Sequence, residues 1–147
     1  MITVHWQQLS PNGHVPEQAH PGEDAGWDLY AAHDAYLWPD EKPQRIVTDI
    51  AIQLPPGYCA WVMGRSGLTN AGFLVHLGLI DPSYRGNIGV MMSIVQEAWE
   101  ESKGLQIMRG QRIAQLVIQP IIPMQWEAAH SLEDTPRGVA GFGSTGT

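Results

Sequence analysis

The sequence contains a single cysteine, few basic residues and no long apolar run, and each shortage excludes a class of protein. One cysteine, Cys59, cannot form an internal disulfide, so we expect the chain in the cytoplasm or another reducing compartment. No apolar run approaches the length that spans a bilayer, so no membrane association is expected. The amino-terminal MITVHWQQLS lacks both a basic segment and an apolar core, and therefore predicts no secretory signal.

Basic residues are scarce: 8 Lys and Arg stand against 15 Asp and Glu, which gives a net charge of −7. A nucleic-acid-binding surface needs a basic face that neutralises phosphates, so nucleic acid is not an expected partner. A small polyanion can still bind where a few cations converge. Four arginines, whose planar guanidinium matches phosphate oxygens, lie in glycine-containing, turn-like segments: Arg65, Arg85, Arg112 and Arg137. Composition alone would favour ordinary solvated surface charge.

The length and the strand pattern predict one all-β domain, since 147 residues suit a single core. The clearest strand is RIVTDIAIQL at residues 45–54, which is rich in β-branched residues and is followed by Pro-Pro-Gly. Further strands are predicted at residues 2–9, 58–63, 73–80, 88–95 and 111–119. Gly, Pro, Asn and Asp separate them at short intervals, as in an antiparallel barrel or sandwich. Only residues 66–71 favour a turn or two of helix, and residues 97–103 favour an exposed loop.

The last segment, RGVAGFGSTGT at residues 137–147, has almost no side chains to bury. Ordering it costs about 1–2 kcal/mol per residue, so we expect it to be mobile until a ligand or partner holds it. Its GFGSTG matches a dinucleotide fingerprint only literally, because that fingerprint must open a helix within a βαβ unit. The lysine of a phosphate loop is also absent. The alternatives are a floppy terminus and a strip that closes over a ligand, presenting amides to phosphate and Phe142 to a base.

Four segments precede this tail: DAGWDLYA at residues 24–31, GRSGLT at 64–69, GLIDPSYRG at 78–86 and RGQRIAQL at 109–116. In this order and spacing, the five segments resemble the five motifs of the trimeric dUTPase family. The resemblance covers residues 24–146. It implies a distorted antiparallel β-barrel, jelly-roll-like, with at most one short helix. Residues 1–136 would form the barrel domain, and residues 137–147 would form a flexible arm that carries the fifth motif.

The resemblance also implies an activity, the hydrolysis of dUTP to dUMP and pyrophosphate. This reaction limits uracil incorporation into DNA and supplies dUMP for dTMP synthesis. The family binds dUTP at subunit interfaces of a homotrimer, so two further copies of the chain are expected partners. Two other functions are compatible with the sequence. A dCTP deaminase shares the fold, and a nucleotide-gated interaction protein would use the same pocket as a switch, with Trp27 or residues 97–103 as its contact surface.

Asp81 is the predicted catalytic residue. A carboxylate can orient a water in line with the α-phosphorus and accept its proton. Pro82 restricts Asp81 to extended conformations and thereby helps to place its side chain. A second interpretation, an aspartate that caps a β-turn at residues 81–83, is compatible with this role.

The nucleoside is expected to contact the segment around this aspartate. The resemblance implies that Tyr84 packs against the deoxyribose and leaves no room for a 2′-hydroxyl. The alternative for Tyr84 is plain packing at a strand edge. Gly78, Leu79 and Ile80 would belong to a hairpin that reads uracil through backbone groups and excludes a 5-methyl group.

The triphosphate is expected at Arg65, Ser66 and Gly67, where a short helix would begin. For Arg65, a structural ion pair, including one with a neighbouring subunit, is nearly as good an interpretation. Gln115 would bind an α-phosphate oxygen or a water, unless it only faces outward from its strand, and Arg112 is predicted to be structural.

The resemblance implies Mg²⁺ held mainly by the triphosphate, with Asp28 touching the waters of the ion. The six histidines show no ligand-like pairing, so zinc and iron are not expected. In the arm, Phe142 would stack on uracil, Gly143 and Ser144 would contact the nucleotide, and Arg137 would pair with the γ-phosphate.

Four positions depart from the family pattern. Gly64 replaces a common proline, Val75 a common asparagine and Ala140 a usual glycine, while Trp27 is bulkier than expected. If the backbone at Ala140 needs a positive φ, alanine would cost about 1–2 kcal/mol there and weaken closure of the arm.

Overall fold

The computed structural model describes residues 1–39, 41–95 and 104–140. Within these ranges the chain forms eleven strands and one short helix, so the predicted all-β fold is confirmed. The strands are β1 (His5–Gln8), β2 (Trp27–Tyr30), β3 (Ala35–Leu37), β4 (Gln44–Val47), β5 (Ile50–Gln53), β6 (Tyr58–Met63), β7 (Phe73–Val75), β8 (Gly78–Ile80), β9 (Gly89–Ile94), β10 (Leu105–Ile107) and β11 (Arg112–Pro120). Helix α1 spans Ser66–Asn70. The predicted loop at residues 97–103 lies outside the described residues.

The described strands pair only in antiparallel fashion. One sheet has the order β2-β11-β6-β8, a second has the order β4-β9-β7, and two pairs join β1 to β5 and β10 to β3. Every strand except β1 contributes to one buried apolar cluster. Within the described ranges, no helix combines the length and the apolar character needed to cross a membrane.

Strand β11 lies between β2 and β6 and therefore decides which side chains meet on that sheet. Its buried Ile113, Ala114 and Leu116 anchor it to the core, whereas Gln115 is only half-buried. In the register, Gln115 stands opposite Asp28 of β2 and opposite Met63 of β6. Three residues from distant parts of the sequence thus line up across one sheet.

The predicted strand at residues 45–54 is wrong in one respect, since it is two strands, β4 and β5, divided at Thr48 and Asp49. Asp49 has a φ of 52°, in the left-handed region that aspartate tolerates better than most residues. Its carboxylate accepts hydrogen bonds from the Ser10 hydroxyl at 2.6 Å and the Asn87 amide at 2.8 Å, and it bonds the His33 imidazole at 2.9 Å. These distant partners stabilise the break, and propensity along the strand cannot reveal them.

The predicted strand at residues 73–80 is also two strands. Strand β7 pairs with β9 in one sheet, whereas β8 pairs with β6 in another, so the chain changes sheets at His76 and Leu77. The predicted amino-terminal strand joins β5 of its own chain.

The pKa of Asp49 predicts a loss of stability in acid. The Ser10 hydroxyl, with the Asn87 amide and the His33 imidazole, lowers the pKa of the Asp49 carboxyl below its ordinary value of 3.8. A carboxyl whose pKa is lowered by folding stabilises the chain fully above the unfolded value, and this contribution is lost as the pH falls through the folded value. We expect Asp49→Asn to lower the free energy of unfolding by about 1–3 kcal/mol at neutral pH. Below pH 3.8 the difference in the free energy of unfolding between Asp49→Asn and the wild type should become smaller.

Urea unfolding at neutral and acidic pH measures this difference. Asparagine is the suitable substitution because, like aspartate, it tolerates a positive φ. Asp134→Asn, at an exposed position, removes the same charge and should follow the wild type at every pH. A gap between Asp49→Asn and the wild type that stays constant down to low pH would contradict the assignment to this carboxyl.

Candidate active site

A cavity of about 860 Å³ lies where β2, β6 and β11 meet the start of α1. The side chains in register across the sheet, Asp28, Met63 and Gln115, belong to its lining. Ser66, Gly67 and Arg112 line it as well. We refer to it as the first cavity.

Two arginines bind one carboxylate in the first cavity. The Nε of Arg65 donates to Oδ1 of Asp28 at 2.8 Å, and Nη1 of Arg112 donates to Oδ2 at 3.2 Å. The Asp28 side chain is only 12% exposed, so both guanidinium groups bind a carboxylate that is largely buried. Arg65 therefore forms an ion pair in this structure, and its partner, Asp28, belongs to the same chain.

Gln115 and helix α1 complete the polar lining of the first cavity. Nε2 of Gln115 donates to the carbonyl of Gly64 at 2.8 Å, which ties the side chain to the corner before Arg65. A side chain at Gly26 would lie 2.4 Å from Oε1 of Gln115, so the glycine in the first motif makes room for this glutamine. Helix α1 begins at Ser66 as predicted, and no side chain of the described residues caps it.

The departure at Gly64 has little consequence for packing. A Cβ there would meet only Val75 and Thr69, at 3.6 and 3.7 Å, which are ordinary contact distances. The carbonyl that Gln115 binds is also present in proline, so this contact does not depend on glycine.

A second cavity, of about 160 Å³, gathers the residues predicted to hold the nucleoside, Gly78, Leu79, Ile80 and Tyr84. The Tyr84 amide donates to the carbonyl of Asp81 at 3.1 Å, which closes the predicted turn. The Tyr84 hydroxyl donates to the carbonyl of Asn87 at 3.0 Å. A Cβ at Gly86 would lie 2.4 Å from this hydroxyl, so glycine is what allows the ring to fold back over the turn.

The two cavities share no described residue, and Asp81 lines neither of them. Asp81 follows β8 directly and is exposed. The sequence predicted that the phosphate residues, the nucleoside residues and Asp81 belong to one site. Within one chain, the predicted phosphate residues lie together in the first cavity. The predicted nucleoside residues lie together in the second cavity.

Two groups of side chains were missed by reasoning from the sequence. His20 and Asp24 also line the first cavity, where the backbone amide of His20 lowers the pKa of the Asp24 carboxyl. Arg45 lines the second cavity. The only signal for Arg45 was a charged residue at the start of a predicted strand, which is common at solvent-facing positions.

The arm is described only up to residue 140, so Phe142, Gly143 and Ser144 lie outside the described residues. Residues 121–140 are exposed throughout. Nε of Arg137 donates to the carbonyl of Ala140 at 3.0 Å. In the described conformation Ala140 does not have a positive φ, because Asp49 is the only non-glycine residue with a positive φ in the described ranges. Positive φ in the arm falls on Gly138, at 53°.

Comparison with known proteins covers almost the whole chain. The dUTPase family model matches residues 12–146. The chain is 40% identical to the deoxyuridine 5′-triphosphate nucleotidohydrolase of Thermobifida fusca over 99% of this chain and 79% of that protein. It is 41% identical to the protein of that name from Clostridium kluyveri over 96% of each chain.

Solved structures agree with these relatives. The dUTPase of Staphylococcus bacteriophage 80alpha with bound dUpNHpp superposes with a TM-score of 0.87 and 31% identity over 99% of both chains. A mutant dUTPase of phage phi11 of S. aureus, described with a structural Mg(II) ion, gives a TM-score of 0.79 and 28% identity over 90% of this chain and 99% of that one. With the family match over most of its length, the chain belongs to the dUTPase family.

Proposed function

We propose that this protein hydrolyses dUTP to dUMP and pyrophosphate, and thereby limits uracil incorporation into DNA and supplies dUMP for dTMP synthesis. The observation that supports this proposal best is a pair of guanidinium groups, those of Arg65 and Arg112, which bind Asp28 in a cavity large enough for a triphosphate. The relatives named for this reaction match nearly the whole chain. Neither dCTP deamination nor nucleotide-gated partner binding is favoured by these relatives. The single free cysteine, Cys59, supports a cytoplasmic location.

The chemistry places a water against the α-phosphorus. The new bond forms between the water oxygen and this phosphorus, while the bond to the oxygen that bridges the α- and β-phosphates breaks. Asp81 orients the water and takes its proton, and pyrophosphate leaves with the electron pair of the broken bond. Ser66, Gly67 and Gln115 bind phosphate oxygens beside the two arginines. Tyr84 packs on the deoxyribose, and Gly78, Leu79 and Ile80 read the base.

The separation of its parts within one chain supports a site that is built from more than one chain. Asp81 and the nucleoside residues are not in the first cavity, where the phosphate residues meet. We infer a homotrimer with sites at its subunit interfaces, each completed by Arg137, Phe142, Gly143 and Ser144 of an arm formed by residues 137–147. Apolar side chains before the arm support a contact with another subunit, since Met124, Trp126 and Leu132 are 80%, 95% and 88% exposed.

The charge of the first cavity supports the same conclusion. Arg65 and Arg112 are balanced by Asp28 and Asp24, so the described lining offers a triphosphate little net positive charge. Further cations are required, and Arg137 of a neighbouring chain supplies one.

Mg²⁺ supplies more positive charge when it is bound, by neutralising the phosphates and ordering the triphosphate. The described residues contain no cluster of three or more His, Cys, Asp or Glu that would cage an ion. They fit an ion that is ligated mainly by phosphates and waters. Each oxygen of Asp28 retains a lone pair beside its arginine, so this residue can still accept a hydrogen bond from a water of the ion.

Pyrophosphate release tests the function, with dUTP, dTTP, dCTP and UTP compared in the presence of Mg²⁺ and of a chelator. We expect strong preference for dUTP and loss of turnover with the chelator. Equal turnover of all four nucleotides would contradict the specificity, and no turnover would contradict the enzyme. Ammonia release from dCTP would indicate a deaminase.

The shared site is tested by co-expression of two inactive forms, Asp81→Asn and Arg65→Ala. Mixed trimers should recover part of the activity, because some sites combine an intact Asp81 and an intact Arg65 from different chains. A monomeric mass by light scattering, with activity retained, would contradict shared sites.

A further inference from the structure

Arg45 is a cation in the second cavity, beside the residues proposed to hold the nucleoside. It stands on β4, opposite Met91 of β9, and its side chain lies across Gly89. A Cβ at Gly89 would approach Nε of Arg45 to 2.2 Å, so the arginine occupies space that any other residue at that position would fill. Among the described residues that line this cavity, Arg45 is the only cation.

Arg45 and Tyr84 bind the same acceptor. Nη2 of Arg45 donates to the carbonyl oxygen of Asn87, and the Tyr84 hydroxyl donates to that oxygen at 3.0 Å. A carbonyl oxygen has two lone pairs, so these two donors use its full capacity. The guanidinium thus keeps water from competing for the atom that holds the end of the tyrosine side chain, which is otherwise 42% exposed.

The acceptor itself is held firmly. The Asn87 side chain donates to Oδ1 of Asp49 at 2.8 Å, and it accepts from the Asp49 backbone amide at 3.1 Å. The next amide, of Ile88, donates to Ile50 at 2.9 Å. The Asn87 carbonyl is therefore a fixed point, and a ring tied to it has little freedom to move.

We propose that Arg45 is a positioning residue that fixes the Tyr84 ring against the sugar and so sharpens the rejection of a 2′-hydroxyl. This inference rests on the proposed function, because it assigns the sugar contact to Tyr84. Rejection of the 2′-hydroxyl by close contact requires that the Tyr84 ring keep its position. If the ring moved by somewhat less than about 1 Å, part of the space that a 2′-hydroxyl needs would open. Misplacements of about this size have large effects on reaction rates.

The test compares kcat/KM for dUTP and for UTP in Arg45→Met, which keeps the unbranched stem over Gly89 and removes the guanidinium. We expect the ratio of the two values to fall about three- to tenfold, the net worth of about one ordinary hydrogen bond. Arg45→Lys should restore part of the ratio. Lys42→Met is the matched control, since it removes an exposed cation just before the same strand, and its ratio should equal the wild-type ratio.

Tyr84→Phe removes the same link from its other end. We expect it to lower the ratio similarly, and we expect the double variant with Arg45→Met to lose little more than either single variant. Equal losses of kcat/KM for dUTP and UTP in Arg45→Met would overturn the proposal, because they would indicate a uniform contact with the nucleotide. An unchanged ratio would overturn it too. Neither result affects the proposed function, which fails only if the wild type does not cleave dUTP.

Discussion

Asp81→Asn should lower the turnover number for dUTP by about 10²–10⁴-fold, the usual contribution of a positioned general base. Asparagine has the same shape but cannot take a proton from the attacking water. Asp81 is exposed at a turn whose closing bond uses its backbone carbonyl, so the substitution leaves the turn intact. Binding of a non-hydrolysable imido analogue of dUTP should therefore change little. Pyrophosphate release and titration calorimetry measure the two quantities separately.

The matched control for this variant is Asp134→Asn, which removes the same charge at an exposed position and should retain wild-type turnover. A fully active Asp81→Asn would remove Asp81 from its catalytic role. Loss of analogue binding in parallel with turnover would show instead that the carboxylate supports the site and not the chemical step.

Asp28→Asn is expected to have the largest effect on stability among the site residues. The carboxylate is 12% exposed and binds Arg65 at 2.8 Å and Arg112 at 3.2 Å, so its loss removes the ion-pair partner of both guanidinium groups. Breaking a buried ion pair costs about 3–5 kcal/mol. Because Arg112 is 49% exposed and can turn to solvent, we expect the free energy of unfolding to fall by about 2–3 kcal/mol.

The same substitution should raise the KM for dUTP by about tenfold, since the two arginines lose their placement and a displacement near 1 Å has effects of this order or larger. Urea unfolding and steady-state kinetics measure the two effects. Glu23→Gln removes an exposed carboxylate from the same segment and should change the unfolding free energy by less than about 0.5 kcal/mol. Wild-type stability in Asp28→Asn would mean that the ion pairs contribute nothing to the fold.

Much of the fold could be predicted because its signals are local. Strand β6 was predicted with the bounds that the structure has, and β9 and β11 to within a residue at each end. Helix α1 begins at the predicted residue. β-branched runs bounded by glycine, proline and polar residues carry this information in neighbouring positions. The short strands β2, β3 and β10 carried no such signal, and they form because partners elsewhere in the chain offer unpaired backbone groups.

The divided strands show where local signals end. Nothing within residues 45–54 reveals that Ser10, His33 and Asn87 surround Asp49, since each lies at least 16 positions away. The change of sheet between β7 and β8 depends likewise on which partner strand is available on each side.

The sequence by itself determined the all-β class, the family motifs and the kinds of side chain available for the site: a carboxylate for a water, arginines for phosphates and an aromatic ring for a sugar. Only the tertiary structure decided which of them meet. Antiparallel register brings Asp28, Gln115 and Met63 into one row, pairs Arg65 with Asp28, and places Arg45 on the carbonyl that holds Tyr84. Such contacts join residues tens of positions apart, and their geometry is set by strand pairing and packing, which no local pattern encodes.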